Sequence, residues 1–188
     1  MATIFTHPAI ALGLSPLFGP VFRSKSILLT GMILTIIPDL DVIGLRLGIP
    51  YNHLLGHRGI THSLFFAAGF SCLVSLLMTR NIRNHFSKIW LYFFLCMASH
   101  GALDALTNGG LGIAFFSPFS NERYFFPYTP IDVSTLNIAR FFQGQGISVI
   151  KSEIIWIWIP CLFVFVAGVF GLKKYNKNLY KNTKKHDD

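Results

Sequence analysis

The longest charge-free run, Ile154–Leu172, constrains this chain more than any other feature. It reads IIWIWIPCLFVFVAGVFGL, 19 residues. At about 1.5 Å rise per residue, a helix of that length just crosses a hydrocarbon core of about 30 Å. Trp156 and Trp158 mark one interface, and Lys173 and Lys174 close the other. Pro160 is tolerated in such a helix, where neighbours re-satisfy the backbone. Composition agrees: 52% of residues are apolar and 13% charged, against about 25% charged in soluble chains. There is too little polar surface to cover a soluble fold. The formal charge of +8 lies largely in the tail after Leu172, which reads as a membrane-flanking segment. It carries no motif for reading nucleic acid, so no nucleic-acid partner is expected.

Further segments are expected at Ser26–Leu45, His62–Thr79 and about Ile89–Ala105. Phe5–Phe22 is interrupted by Pro8, Gly13, Pro16, Gly19 and Pro20, and reads as a broken span or a re-entrant helix. The expected fold class is therefore all-α: a polytopic membrane helix bundle with four membrane segments plus a shorter N-terminal helix. Residues 1–172 form the membrane-embedded domain and 173–188 a basic cytoplasmic tail. The first segment lacks an early positive charge and a small-residue cleavage signal, so it is expected to be retained. The connection 109–153, rich in Gly, Phe and Pro, is expected to hold short helices on the membrane surface or over the bundle. Cys72, Cys96 and Cys161 lie in apolar runs, form no C-x-x-C pair, and read as packing residues.

Placing the Lys-rich tail in the cytoplasm and alternating sides puts 11 of the 16 Lys and Arg residues inside. Arg23, Lys25, Arg80, Arg83 and Lys88 fall there. Arg46, Arg58, Arg123, Arg140 and Lys151 fall outside. The same orientation gathers His7, Asp39, Asp41, His53, His57, His62, His100 and Asp104 toward the outer face.

Those residues carry the chemistry. In SHGALD (99–104), His100 and Asp104 are four apart and share a helix face. The alternative for the pair is a hydrogen-bonded lock between helices. In HLLGHRGITHS (53–63), His57 and His62 flank a turn at Gly59, which lets two imidazoles converge. His53 shares the His57 face if that stretch is helical, and otherwise is an interfacial polar residue. Arg58 offers a planar fork for phosphate or carboxylate, or for a lipid headgroup. In PDLD (38–41), one of Asp39 and Asp41 ligates while the other orients a ligand histidine. Several buried carboxylates are costly together, and neutral imidazoles do not cancel their charge. A divalent metal does, with Zn²⁺ first among candidates for histidine and carboxylate ligands. The residue count allows one or two ions.

PDLD (38–41), HRGITHS (57–63), SHGALDALTNGG (99–110) and FSPFSNERYFFPYTPIDVS (116–134) together resemble the YdjM-like family of bacterial inner-membrane-associated proteins, held to be metal-dependent hydrolases. The resemblance implies His7, Asp39, His57, His62, His100 and Asp104 as metal ligands, with Asp41 a close alternative to Asp39. It also implies a distant similarity to helical zinc-dependent phospholipases C, in which a His-x-x-x-Asp helix ligates zinc. Those enzymes use more ligands than this chain offers, which argues against a three-metal cluster. The expected function is hydrolysis of a membrane lipid or lipid-linked phosphoester at the outer face of the inner membrane, the protein being multi-pass with a cytoplasmic C-terminus. Asp39 or Asp41 would orient or deprotonate the water, and Arg58 or Arg123 would steady the phosphate charge. Phe115, Phe116, Phe119, Tyr124, Phe125 and Phe126 would border the site or simply anchor the interface. The alternatives are a non-enzymatic membrane protein with a structural metal or polar cluster, and a cation transporter, whose ionisable groups belong near the midplane.

Overall fold

A computed structural model describes residues 1–19, 24–79, 85–134, 141 and 146–184, the last ten without their side chains. Of the basic residues used to orient the chain, Arg23, Arg80, Arg83, Arg140 and Lys185 lie outside the described residues, as does His186.

Among the described residues every regular element is helical, and the isolated β-bridges are two, Thr107 with Ile131 and Ile113 with Tyr124. Helix α1 is Pro8–Leu14, with Pro8 at the first helical position, where its missing N–H costs nothing. It tightens into a 3₁₀ turn, Ser15–Phe18, opened by Pro16. Helix α2 is Lys25–Leu34. A 3₁₀ turn, Ile37–Asp41, and the short helix α3, Val42–Arg46, follow. Pro38 explains the break: it has no N–H for the Leu34 carbonyl and cannot continue the helix. Helix α4 is Leu64–Met78, whose Ser63 cap accepts from the Phe66 N–H at 3.1 Å. Helix α5 is Phe86–Ala105. Helix α6, Gly146–Glu153, runs through a π-turn, Ile154–Trp158, into α7, Ile159–Lys184.

Helix α5 lies at the centre, packed against α2 and α4. Its apolar half supplies Ile89, Tyr92, Phe93, Cys96 and Met97 to a core shared with Ala11, Ile27, Leu34 and Ala67. Tyr92 donates to the Ala11 carbonyl at 2.8 Å. Gly31 lets the Tyr92 ring pass, since a Cβ there would lie 2.8 Å from it. Cys96 is buried in this core as expected, while Cys72 and Cys161 are half-buried.

The expectation of four membrane segments is corrected. Among the described residues, only Gly146–Lys174 is long and apolar enough to cross a membrane, and α2 with α3 makes at most one more, bent by 43°. Helix α4 has 15 residues, a rise of about 22 Å, well short of about 30 Å of hydrocarbon. Helix α1 is shorter still. Helix α5 is long enough, but it turns half its residues inward and carries His100 and Asp104. The span from Gly146 to Lys174 is different in kind. It exposes Leu162, Phe163 and Phe170, a continuous apolar face that lipid would cover. In the connection after α5, the expected short helix is present as α6, Gly146–Glu153, while 135–140 and 142–145 lie outside the described residues. Residues 107–134 are irregular rather than helical, with Pro118, Pro127 and Pro130 in the stretch. Its backbone is satisfied on the bundle instead: Phe126 N–H donates to Ala105, Ile131 N–H to Leu106, and Asn108 N–H to Ile131.

Candidate metal centre

The polar residues meet where the broken end of α2, the 56–63 turn and the C-terminal half of α5 converge. The Pro38 break makes Asp39 N–H bond to the Ile36 carbonyl and so leaves the Thr35 carbonyl free of the helix ladder. His100 of α5 uses it, its Nδ1–H donating to Thr35 O at 2.7 Å. A carbonyl only accepts, so Nδ1 carries a proton and Nε2 is turned inward.

His62 is set in the same way by Asp41. Its Nδ1 lies 3.1 Å from Asp41 Oδ2 and 3.1 Å from Thr61 Oγ1. The Thr61 hydroxyl itself donates to Asp41 Oδ2 at 2.6 Å, so both neighbours accept and Nδ1 donates. Asp41 also takes the Arg58 backbone N–H at 3.1 Å and the His57 Nδ1–H at 2.7 Å. The turn that delivers these groups is wound tightly, since a Cβ on Gly59 would lie 2.3 Å from the Leu54 carbonyl. Gly101 plays the matching part on α5, where a Cβ would lie 2.9 Å from the His62 carbonyl.

With each Nδ1 turned to its own partner, His62 Nε2 and His100 Nε2 meet at 3.1 Å, a separation bridged by a shared proton or by a metal ion. Asp39 Oδ1 is 3.2 Å from His100 Nε2 and 3.8 Å from His62 Nε2. Asp104 Oδ2 is 3.9 Å from His62 Nε2 and 4.0 Å from His100 Nε2. Neither oxygen of Asp39 makes a hydrogen bond, although both are buried; the approach to His100 is at ion-pair distance without hydrogen-bond alignment. Four donors at about 2.0–2.1 Å from a tetrahedral ion stand about 3.3 Å apart, close to this spacing. Charge points the same way. Asp39, Asp41 and Asp104 are buried beside one guanidinium, Arg58, with the N-terminal amino group acting on Asp104, and three carboxylates so close together attract a cation. Asp39, His62, His100 and Asp104 thus have the donors to hold one metal ion.

A second group, Asp41, His57 and His62, is equally close. Its short contacts, however, are the hydrogen bonds just described. Of the expected ligands, then, four converge, while His57 reaches the cluster through Asp41. His7 is wholly buried and stacks on His100 with ring centroids 3.9 Å apart. Its Nε2 stands 3.9 Å from Asp104 Oδ1, and neither ring nitrogen has a hydrogen-bond partner. His53 is exposed, its Nδ1 accepting from the Leu55 N–H at 3.1 Å.

Arg58 is fully buried, with its fork turned inward. Nε donates to Asp104 Oδ2 at 3.1 Å, Nη1 to Gly109 O at 2.7 Å and Nη2 to Thr107 Oγ1 at 3.2 Å. Its backbone has φ 64°, a left-handed conformation that costs a non-glycine residue about 1–3 kcal/mol. The buried bonds to Asp41 and Asp104 hold it there. Gly110, at φ 95°, leaves room for this guanidinium, since a Cβ there would lie 2.4 Å from Nη1. Arg123 spans carbonyls instead: Nη1 donates to His57 O at 3.1 Å and Nη2 to Tyr51 O at 2.9 Å. Burial pushes the Tyr51 phenol above its ordinary pKa, partly offset by the Arg58 charge. Both arginines thus hold protein groups. Thr35, Thr61, Thr107 and Gly101 were not singled out from sequence. Thr61 and Gly101 directly adjoin His62 and His100, and that adjacency was the available signal.

A family model described as the YdjM inner membrane protein matches residues 1–178. Inner membrane protein YbcI of Escherichia coli (strain K12) is 36% identical over 160 residues, 85% of this chain and 92% of that protein. No solved structure matches. With a membrane-capable helix, a buried His/Asp cluster and a match over nearly its whole length, the chain belongs to the YdjM inner membrane protein family.

Proposed function

We propose that the protein is a metal-dependent hydrolase of a lipid or lipid-linked phosphoester, with one Zn²⁺ held by Asp39, His62, His100 and Asp104. The reading is carried by the facing Nε2 atoms of His62 and His100, 3.1 Å apart beside two carboxylates. Such an arrangement calls for a shared proton or a metal ion between the two nitrogens, and the two carboxylates beside them favour the metal. These residues would hold the ion, which would supply Lewis-acid polarisation of a phosphoryl oxygen and an acidified water once one of the four donors gives up its position. The chain's own part is to fix the donors. Asp41 and the Thr35 carbonyl set the imidazole tautomers, and Arg58 and the Ala2 N–H hold the two oxygens of Asp104. Asp39, with no hydrogen bond on either oxygen, would ligate through one oxygen and leave the other to orient a water. The arginines are assigned to this scaffold rather than to the phosphate.

Lipid access is supported by the segment stapled beside the site. Ala114 N–H bonds to Arg58 O and Phe115 O accepts from Leu64 N–H, while Phe116, Phe119, Phe125 and Phe126 stay exposed. The orientation follows from one span. Glu153 and Lys173 are twenty residues apart, about 30 Å along the helix axis. The centre lies toward the Glu153 end, and a cytoplasmic Lys-rich end, as the charge bias suggests, supports a site on the outer face. A site at one end of the span favours an enzyme over a transporter.

The test is protein purified in detergent, analysed for metal and offered phospholipids and lipid-linked phosphates. One zinc per chain, lost together with product release in His62→Ala and His100→Ala, supports the reading. Metal content unchanged in both variants removes the centre. Full metal without turnover of any phosphoester leaves a structural metal in a non-enzymatic membrane protein.

A further inference from the structure

The one acid of the membrane span, Glu153, lies at the junction of α6 with the π-turn and is 2% exposed. A buried carboxylate weakens a membrane helix unless donors surround it. Here the donors come from the other end of the chain. Thr3 N–H donates to Oε1, and the hydroxyls of Thr3 and Thr6 donate to Oε2, each at 2.7 Å. Trp158, one turn on, donates its indole N–H to Thr6 Oγ1 at 3.1 Å.

The segment gripped in this way is the one that touches the cluster. Ala2 N–H donates to Asp104 Oδ1 at 3.0 Å, opposite the Arg58 bond to Oδ2. His7 follows Thr6 and stacks on His100. Ala2, Thr6 and His7 are all buried. We propose that Glu153 is a positioning residue of the metal centre: from the head of the span it clamps residues 1–7 across the His/Asp cluster and so fixes Asp104 and His7. This rests on the cluster holding a metal, as proposed above. The clamp works by geometry rather than charge. A glutamine can keep one oxygen on Thr3 N–H and turn its amide toward two hydroxyls, which can accept as well as donate.

Glu153→Leu preserves an apolar span and removes the acceptors. Thr3→Val with Thr6→Val removes the donors and leaves the span untouched, which covers the case of a Leu variant that fails to fold. Each is compared with Glu153→Gln in detergent by Co²⁺ affinity against a chelator and by amide hydrogen exchange of residues 2–7. The Leu and double-Val proteins are expected to bind Co²⁺ about ten- to a hundredfold more weakly, as second-layer changes do. Exchange in residues 2–7 is expected to quicken by about tenfold or more as the segment opens, and Gln to restore both. Unchanged exchange, or faster exchange with unchanged Co²⁺ affinity, overturns the proposal. So does a Gln protein that behaves like Leu, since the effect would then be charge. Should the unaltered protein bind no Co²⁺, the metal reading fails on its own, and faster exchange restored by Gln would still support the clamp.

Discussion

Replacing Gly101 by alanine pits two effects of known sign against each other. In an unobstructed helix the change gains about 0.5–1 kcal/mol, because glycine loses more backbone entropy on folding. At position 101 the new Cβ would stand 2.9 Å from the His62 carbonyl oxygen and 3.4 Å from both Ile113 Cγ2 and Phe115 Cε1. The first contact is backbone and must open by about 0.5 Å to reach ordinary van der Waals distance. The turn cannot retreat freely, since His62 Nδ1 is tied to Asp41 and a Gly59 Cβ would already collide with Leu54. The displacement therefore falls on His62 Nε2, in a set whose spacing starts at 3.1 Å. A misplacement of that size is at the limit a designed site tolerates, about 0.5 Å. Zinc affinity is expected to fall by about tenfold, equivalent to about 1.4 kcal/mol, with little change in melting temperature. Gly69→Ala on α4 is the control, because a Cβ there meets nothing within 4 Å. Chelator competition and thermal melting in detergent measure both proteins. Equal zinc affinity in Gly101→Ala and Gly69→Ala would refute the reasoning.

Other consequences separate the roles assigned to neighbouring residues. Asp39→Asn should abolish metal stoichiometry, whereas Asp41→Asn should keep one ion per chain and weaken it about ten- to a hundredfold; metal analysis and titration distinguish the two acids. Arg58→Met leaves Asp104 Oδ2 without its guanidinium partner and should cost about 3–5 kcal/mol, read as a lowered melting temperature. A protein as stable as the original would show that the fork is free for substrate. His7→Phe keeps an aromatic ring on His100 and removes both nitrogens; zinc content should persist, and its loss would add His7 to the ligands.

What sequence alone settled were local relations and the longest span. The charge-free run Ile154–Leu172 reads as a membrane helix because length and apolarity are additive along the chain. His100 and Asp104 share a face because helical period is a property of one element. Pro38 announces the break in α2 for the same local reason. Relations between elements were decided only in three dimensions. Asp39 and Asp41 are indistinguishable in the motif, yet one faces the Nε2 atoms and the other the Nδ1 side of His62. Arg58 is in sequence equally a ligand for phosphate, carboxylate or a lipid headgroup, and tertiary packing turns its fork onto the Asp104 carboxylate, Thr107 and Gly109. The number of spans was overestimated because apolar runs mark burial without saying whether lipid or protein covers them, and α4 and α5 spend much of that apolarity on the core. Glu153 gave no motif at all: its partners are about 150 residues away, and only folding brings Thr3 and Thr6 within hydrogen-bond reach.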